Sequence, residues 1–392
     1  MQNKKQCFII YGNHFGELDA ISDLAHAIKE GFESTDIYKC ISFSKEIVPN
    51  NINIIVEQFS SGIFCRRIIS LQKKYPETSF ILFITEIPIN GSYNLFNKSE
   101  DFNNFIFNFN LNNILSKIVN KNNELIFFDF LIPILRFISI LNYINKLLIK
   151  FLYLITPPLV YRFFIRLKNK IHVPFSLNNK YTEICNQLEN YNFYARFINT
   201  KFLIKNKVFS KIFIINSSSS KLTNDAFGVE CIEFPYLYPK PKLQLKDNIL
   251  MFSGTLTKER LDILEAIKQN GIYTLLNSEM KDEIRALHSS RSMFSLHIPR
   301  YSNDISFSSP TRTIHAIKNG MFPMHFSMCS ESDFEKKINI PYLSDFNSQC
   351  YSNQDLPMAL VNLYYEKINA YISEYENWNL NNKNKLLSYL IK

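Results

Sequence analysis

Short apolar runs alternate with amphipathic stretches through most of the chain. Gln6 to Tyr11 reads as a strand, Gly12 to Asp19 as a loop, and Ala20 to Phe32 as a helix with Ile21, Leu24, Ala25 and Ile28 on one face. Strand-like runs recur at Asn53–Val56 and Phe80–Thr85, with a helical run from Gly62 to Tyr75 before the second. Phe209–Asn216 and Val229–Glu233 read as further strands. Pro235-Tyr236-Leu237-Tyr238-Pro239-Lys240-Pro241 is a stiff connector, and after it the pattern restarts. Asn248–Phe252 is a strand, Ser253–Thr257 a loop, Lys258–Asn270 a helix closed by Gly271, and Ile272–Leu276 a strand. Ser295–Ile298 and Met321–Phe326 read as strands, and Leu356 to Lys392 as helix. Strands alternating with helices predict an α/β protein with parallel sheets covered on both faces. The restart places a domain boundary near residue 240, giving units 1–240 and 241–392. A ligand cleft is expected at the carboxyl ends of their strands.

Composition adds three constraints. At 392 residues, 46% of them hydrophobic, the chain can build two real cores. The formal charge of +9 favours anionic partners: a phosphorylated substrate, a membrane surface or nucleic acid. Seven cysteines (7, 40, 65, 185, 231, 329 and 350) are dispersed without a C-x-x-C pair, which suggests reduced, mostly buried thiols and a cytoplasmic protein. The seven histidines show no H-E-x-x-H and no pairing with cysteines, so no metal site is expected. The amino terminus ends its short apolar run in Gly-Asn-His, unlike a signal peptide.

Residues 131–175 carry no acidic side chain but do carry Arg136, Lys146, Lys150, Arg162, Arg166, Lys168 and Lys170. The apolar runs between these charges are about ten residues long, too short to span a bilayer. An apolar body with basic punctuation fits an interfacial element lying on the inner face of the cytoplasmic membrane; a core helix pair with snorkelling lysines is the alternative. Because the basic residues concentrate there rather than on a polar stripe, nucleic acid is not the expected partner.

Four stretches could carry chemistry. Ser308-Ser309-Pro310-Thr311-Arg312-Thr313-Ile314-His315-Ala316-Ile317-Lys318-Asn319-Gly320 reads as a capped helix with Pro310 at its first position and Gly320 at its left-handed end. Its first turn offers free N–H groups, hydroxyls from Ser309 and Thr311, and Arg312, a combination suited to phosphate. An ordinary capped helix with a surface arginine would look the same. Gly254, after a strand, permits close backbone approach, while Thr255 and Thr257 offer hydroxyls and Arg260 a charge. His297 ends a short strand, as a satisfied core histidine or as a site residue, and Arg300 would reach the cleft rim. The loop after the first strand holds His14, Glu17 and Asp19, from which a general base could come; Glu17 and Asp19 could equally be helix-start charges.

Taken together, Ser253-Gly254-Thr255-Leu256, Arg260, Ile263-Leu264-x-x-Ile267, Gly271, Ser295-Leu296-His297-Ile298 and Arg312-x-x-x-Ala316-x-x-x-Gly320 resemble the carboxyl-terminal half of GT-B glycosyltransferases. The pattern is most similar to the bacterial spore-maturation-protein-like group and covers roughly residues 205–330, with weaker similarity at 5–35. The resemblance implies two Rossmann-like domains facing a cleft, with a carboxyl-terminal helix returning to the first domain. It implies a nucleotide-sugar donor on the second domain, a cell-surface glycan or lipid-linked acceptor on the first, and no cofactor or obligatory metal. Gly254, Thr255, Arg260 and Arg312 would flank the donor, with Glu17 as the preferred base. His315 stands where the group usually has glutamate. That departure leaves open an unusual donor, such as a CMP-activated acidic sugar, or a non-catalytic glycan-binding relic.

Overall fold

The computed structural model describes residues 4–11, 19–44, 46–56, 59, 61–85, 195–254, 256–269, 272–276, 282–298, 308–327, 329–347 and 355–391. It is an α/β structure with two parallel sheets. The first contains β1 (Lys5–Ile10), β2 (Tyr38–Ser44), β3 (Ile52–Val56), β4 (Ser79–Ile84), β5 (Lys211–Ile214) and β6 (Ile232–Glu233), in the order β2-β1-β3-β4-β5-β6. α1 (Asp19–Ser34), α2 (Gly62–Lys74), helical residues 195–205 and α3 (Ser220–Phe227) surround it.

The strands alternate with period two, and each face has its own partner. Cys7, Ile9, Ile54, Val56, Ile81 and Phe83 turn to one side, where Leu24, Ala25, Ile28 and Phe32 of α1 join the same buried cluster. Ile10, Ile55, Phe80, Leu82 and Ile84 turn to the other, with Cys65 and Ile68 of α2, Leu203 and Phe227. Burial on both faces explains why these strands read as continuous apolar runs. Each fully buried aromatic such as Phe83 contributes about 1.5–3 kcal/mol.

The second sheet contains β7 (Asn248–Phe252), β8 (Thr274–Leu276), β9 (Ser292–His297) and β10 (Phe322–His325), in the order β10-β9-β7-β8. Pro323 can lie in β10 because that strand is at the edge of the sheet, bridged on its outer side at His325 and not at Pro323. α4 (Lys258–Gln269), α5 (Asp282–Arg291), α6 (Pro310–Lys318), α7 (Asp333–Ile338), α8 (Leu343–Asn347) and α9 (Asp355–Ile391) accompany it. All strands of the first sheet precede residue 240 and all those of the second follow it.

The sheets share one continuous buried cluster, from Cys7 and Ile9 through Phe234, Tyr236 and Tyr238 to Leu250, Phe294 and Leu360. α9 bridges them. Its Tyr364 hydroxyl donates to Gly320 O (2.7 Å) and its Tyr371 hydroxyl to Pro239 O (2.7 Å). Farther along, Asn379 Nδ2 donates to Tyr238 O (2.9 Å) and Asn382 Nδ2 to Tyr236 O (2.6 Å). Lys383 then pairs with Asp36 at the end of α1.

Two elements were not picked out by the sequence pattern. β2 is the edge of its sheet, and its polar Lys39 and Ser42 hide the alternation. α5 has an almost wholly polar sequence, DEIRALHSSR, and is held by its packing on β7 and β9. Among the described residues no helix is long and apolar enough to cross a membrane; residues 131–175 lie outside them. The cysteines at 7, 40, 65, 231 and 329 are free thiols, and all but Cys329 are buried.

Candidate functional site

In an open parallel sheet, a crevice forms where neighbouring strands depart in opposite directions. β1 lies between β2 and β3, so the loop after it opens at such a point. β7 lies between β8 and β9, so the loop carrying Gly254 opens at another. Gly254 has φ +152, a conformation that favours glycine. The first of these loops holds His14 and Glu17, which lie outside the described residues, as do Thr255 and Arg300. Asp19 is the first residue of α1.

Around the second crevice several side chains converge. α4 starts at Lys258, with Thr257 Oγ1 accepting from Arg260 N at 3.4 Å. Arg260 itself is buried. Its Nη2 donates to Ile298 O (2.8 Å), just past the end of β9, and its guanidinium lies over the Phe252 ring, 5.4 Å from the centroid. The arginine thus ties the end of β7 to the end of β9. It delivers its charge beneath the crevice rather than at its mouth.

α6 enters beside these strands. Ser309 stands at its N-cap with extended geometry and makes no side-chain capping bond; its hydroxyl instead meets Thr311 Oγ1 at 3.0 Å. Pro310 occupies the first helical position. Arg312 is exposed, and its charge acts on His297. His315 lies farther along the helix and meets Asn319 Nδ2 at 3.4 Å.

The inner side of the same turn is built differently. Glu335 is fully buried and accepts from Ser308 Oγ, Thr313 Oγ1 (2.7 Å), Ser332 Oγ (2.7 Å) and Ser332 N (3.2 Å). Ser332 and Glu335 also form the capping box of α7. Asn216, at the end of the first sheet, donates to Ser308 O and Ser330 O (both 3.1 Å). Glu233, from β6, accepts from Ser217 N (3.1 Å) and Asp333 N (3.0 Å). These bonds lock the two sheets together just behind the candidate crevice. Burial raises the Glu233 carboxyl above its usual range, opposed by the N–H and hydroxyl groups that face it.

A group of side chains not anticipated from spacing sits at the ends of β9 and β10. His297 and His325 are register partners on these parallel strands, and their Nδ1 atoms are 3.3 Å apart. Cys329 joins them: one ligand atom from each of the three residues lies within 4.8 Å of the others. His325 Nε2 is buried without a hydrogen-bond partner and faces Glu331 Oε1 at 3.6 Å. Glu331 in turn accepts from the Tyr342 hydroxyl at 3.0 Å.

Burial holds His297 well below the ordinary histidine range, reinforced by His325, Arg312 and Arg260. Burial also pushes His325 down to about 4. Both rings are therefore neutral at pH 7, able to donate or accept and able to ligate. Burial, then the carboxylates of Glu335 and Glu331, pushes the Cys329 thiol up to about 12. The sequence did contain a signal for this group: two histidines ending consecutive core strands, one of them followed closely by a cysteine.

No protein-family model matches this chain, and no curated protein matches it.

Proposed function

We propose that the chain is a glycosyltransferase of GT-B type, moving a sugar from a nucleotide-sugar donor to a cell-surface glycan or lipid-linked acceptor. The observation that carries the reading is the crevice at the end of β7. There a positive-φ glycine, the uncapped first turn of α6 and the exposed Arg312 meet at a strand-order reversal. A diphosphate fits this chemistry: Arg312 and the Ser309 and Thr311 hydroxyls supply donors, the helix start and Arg312 supply positive charge, and buried Arg260 adds to the field from below. Gly254 lets the donor approach the backbone closely.

The matching reversal of the first sheet, at β1, is where the acceptor would lie, with Glu17 as the base that takes the hydroxyl proton as the glycosidic bond forms. Residues 131–175 would hold the enzyme against the anionic inner leaflet, near a lipid-linked acceptor. His315, lacking the charge of glutamate, keeps a CMP-activated acidic sugar, which carries a single phosphate, as the alternative to a diphosphate donor.

The test is calorimetric titration of the wild-type chain and Arg312→Ala with UDP-, GDP-, CMP- and TDP-linked sugars. One donor should bind the wild type and be lost in the variant. The melting temperature should hold, because an exposed arginine contributes within about 0.5 kcal/mol. Undiminished binding by Arg312→Ala would remove the donor-site assignment, and indifference of the wild type to every donor would favour a non-catalytic glycan-binding protein.

A further inference from the structure

We infer that His297, His325 and Cys329 form a binding site for a divalent ion of the zinc class, independent of whether the crevice takes a nucleotide sugar. The three residues supply two imidazole nitrogens and a sulfur, a set that suits borderline-soft ions and not magnesium or calcium.

The spacing fits. Two nitrogens bound to one tetrahedral zinc at about 2.0–2.1 Å must lie about 3.3–3.4 Å from each other. The two Nδ1 atoms are 3.3 Å apart. This distance is set by the sheet, because His297 and His325 are paired residues of neighbouring parallel strands. The site is therefore assembled on rigid elements, with Cys329 brought in by the turn that follows β10.

The surroundings fit as well. A metal-bound histidine usually directs its other nitrogen to a carboxylate, which fixes the ring and strengthens the ligand. His325 Nε2 is buried, lacks a hydrogen-bond partner and faces Glu331, which Tyr342 holds in place. Charge balance follows the same line. Binding breaks the Cys329 S–H bond, releases its proton to solvent and forms a sulfur–metal bond. A divalent ion, one thiolate and the Glu331 carboxylate then sum to zero. Three protein ligands leave a tetrahedral ion one position for water or an anionic oxygen.

The experiment uses the full chain, freed of metal by a chelator and titrated with Co²⁺, whose thiolate complexes absorb in the near ultraviolet. The expected result is one ion per chain, a thiolate-to-cobalt band, and displacement of cobalt by Zn²⁺. Cys329→Ser should abolish the band. Glu331→Gln should keep it while weakening affinity about 10–100-fold, the usual cost of losing an outer partner. If Cys329→Ser does not fold, alkylation of the wild-type chain decides: Zn²⁺ should protect Cys329 from modification. Failure to bind cobalt stoichiometrically, a band that survives Cys329→Ser, or alkylation of Cys329 unaffected by zinc overturns the site.

Discussion

The two ends of α6 are finished in opposite ways. At its carboxyl end the polar groups are occupied: Tyr364 donates to Gly320 O and Lys246 Nζ to Asn319 O at 3.3 Å. Gly320 has φ +74, and a side chain there would overlap the carbonyl oxygen of Lys242. At its amino end the cap residue Ser309 makes no side-chain capping bond. The inner hydroxyls, Ser308 and Thr313, are taken by Glu335, and the outer face carries exposed Arg312. One end of the helix is therefore sealed into the fold while the outer side of the other is exposed at Arg312. Residue type alone does not separate the two roles. Ser308 and Ser309 are adjacent and chemically identical, yet one bonds a buried carboxylate and the other lies at the crevice.

Three changes probe that contrast. The largest effect is expected from Glu335→Ala, which leaves several buried hydroxyl and N–H donors without an acceptor. At about 1–3 kcal/mol for each unsatisfied group, it should destabilise by at least about 3 kcal/mol in urea unfolding. A loss below about 1 kcal/mol would mean that water replaces the carboxylate and that the inner side is not sealed.

Next is Gly320→Ala. The left-handed backbone alone costs an alanine about 1–2 kcal/mol, and the overlap with Lys242 adds to it. A total above about 2 kcal/mol, read from chemical denaturation, is expected. A near-neutral result would show that the 242–246 segment yields freely.

The smallest effect concerns pH. Burial lowers Lys246 to about 8, whereas an unfolded lysine titrates near 10.4. Between these values the unfolded chain holds a proton that the folded chain has released, so stability should rise as pH increases from about 8 toward 10. The side chain is only half-buried, so solvent screening makes the gain modest. Urea midpoints at pH 7.5 and 9.5 measure it, with Lys246→Met as the control in which this component disappears. A wild-type and a variant profile that run parallel would show that Lys246 contributes no such component.

Much of the fold was legible in the sequence because the strands are buried on both faces. β7 was read at its observed bounds, and β1, β3, β4 and β10 within a residue or so, since each run is mainly apolar. The helix starting at Pro310 and the glycine after it were readable because proline and glycine act through local geometry. What escaped notice depends on residues far apart in sequence. Glu335 is as buried as any phenylalanine in the core, but its partners come from Ser308, Thr313 and Ser332, and only the last is local. His325, the nearest partner of His297 in its cluster, is likewise 28 residues away, joined by strand register and not by spacing. Arg260 was legible as a cation near the crevice, but its burial against Ile298 and Phe252 was not, since that depends on how β9 ends.

The long helix α9 imposes an order on the making of this protein. Phe213 of the first sheet packs on Tyr389, and the Tyr236 and Tyr238 backbone is bonded by Asn382 and Asn379. Those partners emerge from the ribosome some 140 residues or more after the groups they cover. Until then the first sheet has its own helices but lacks its closing layer, leaving apolar surface open to mispairing. The nascent chain must wait for α9 before the earliest core is complete.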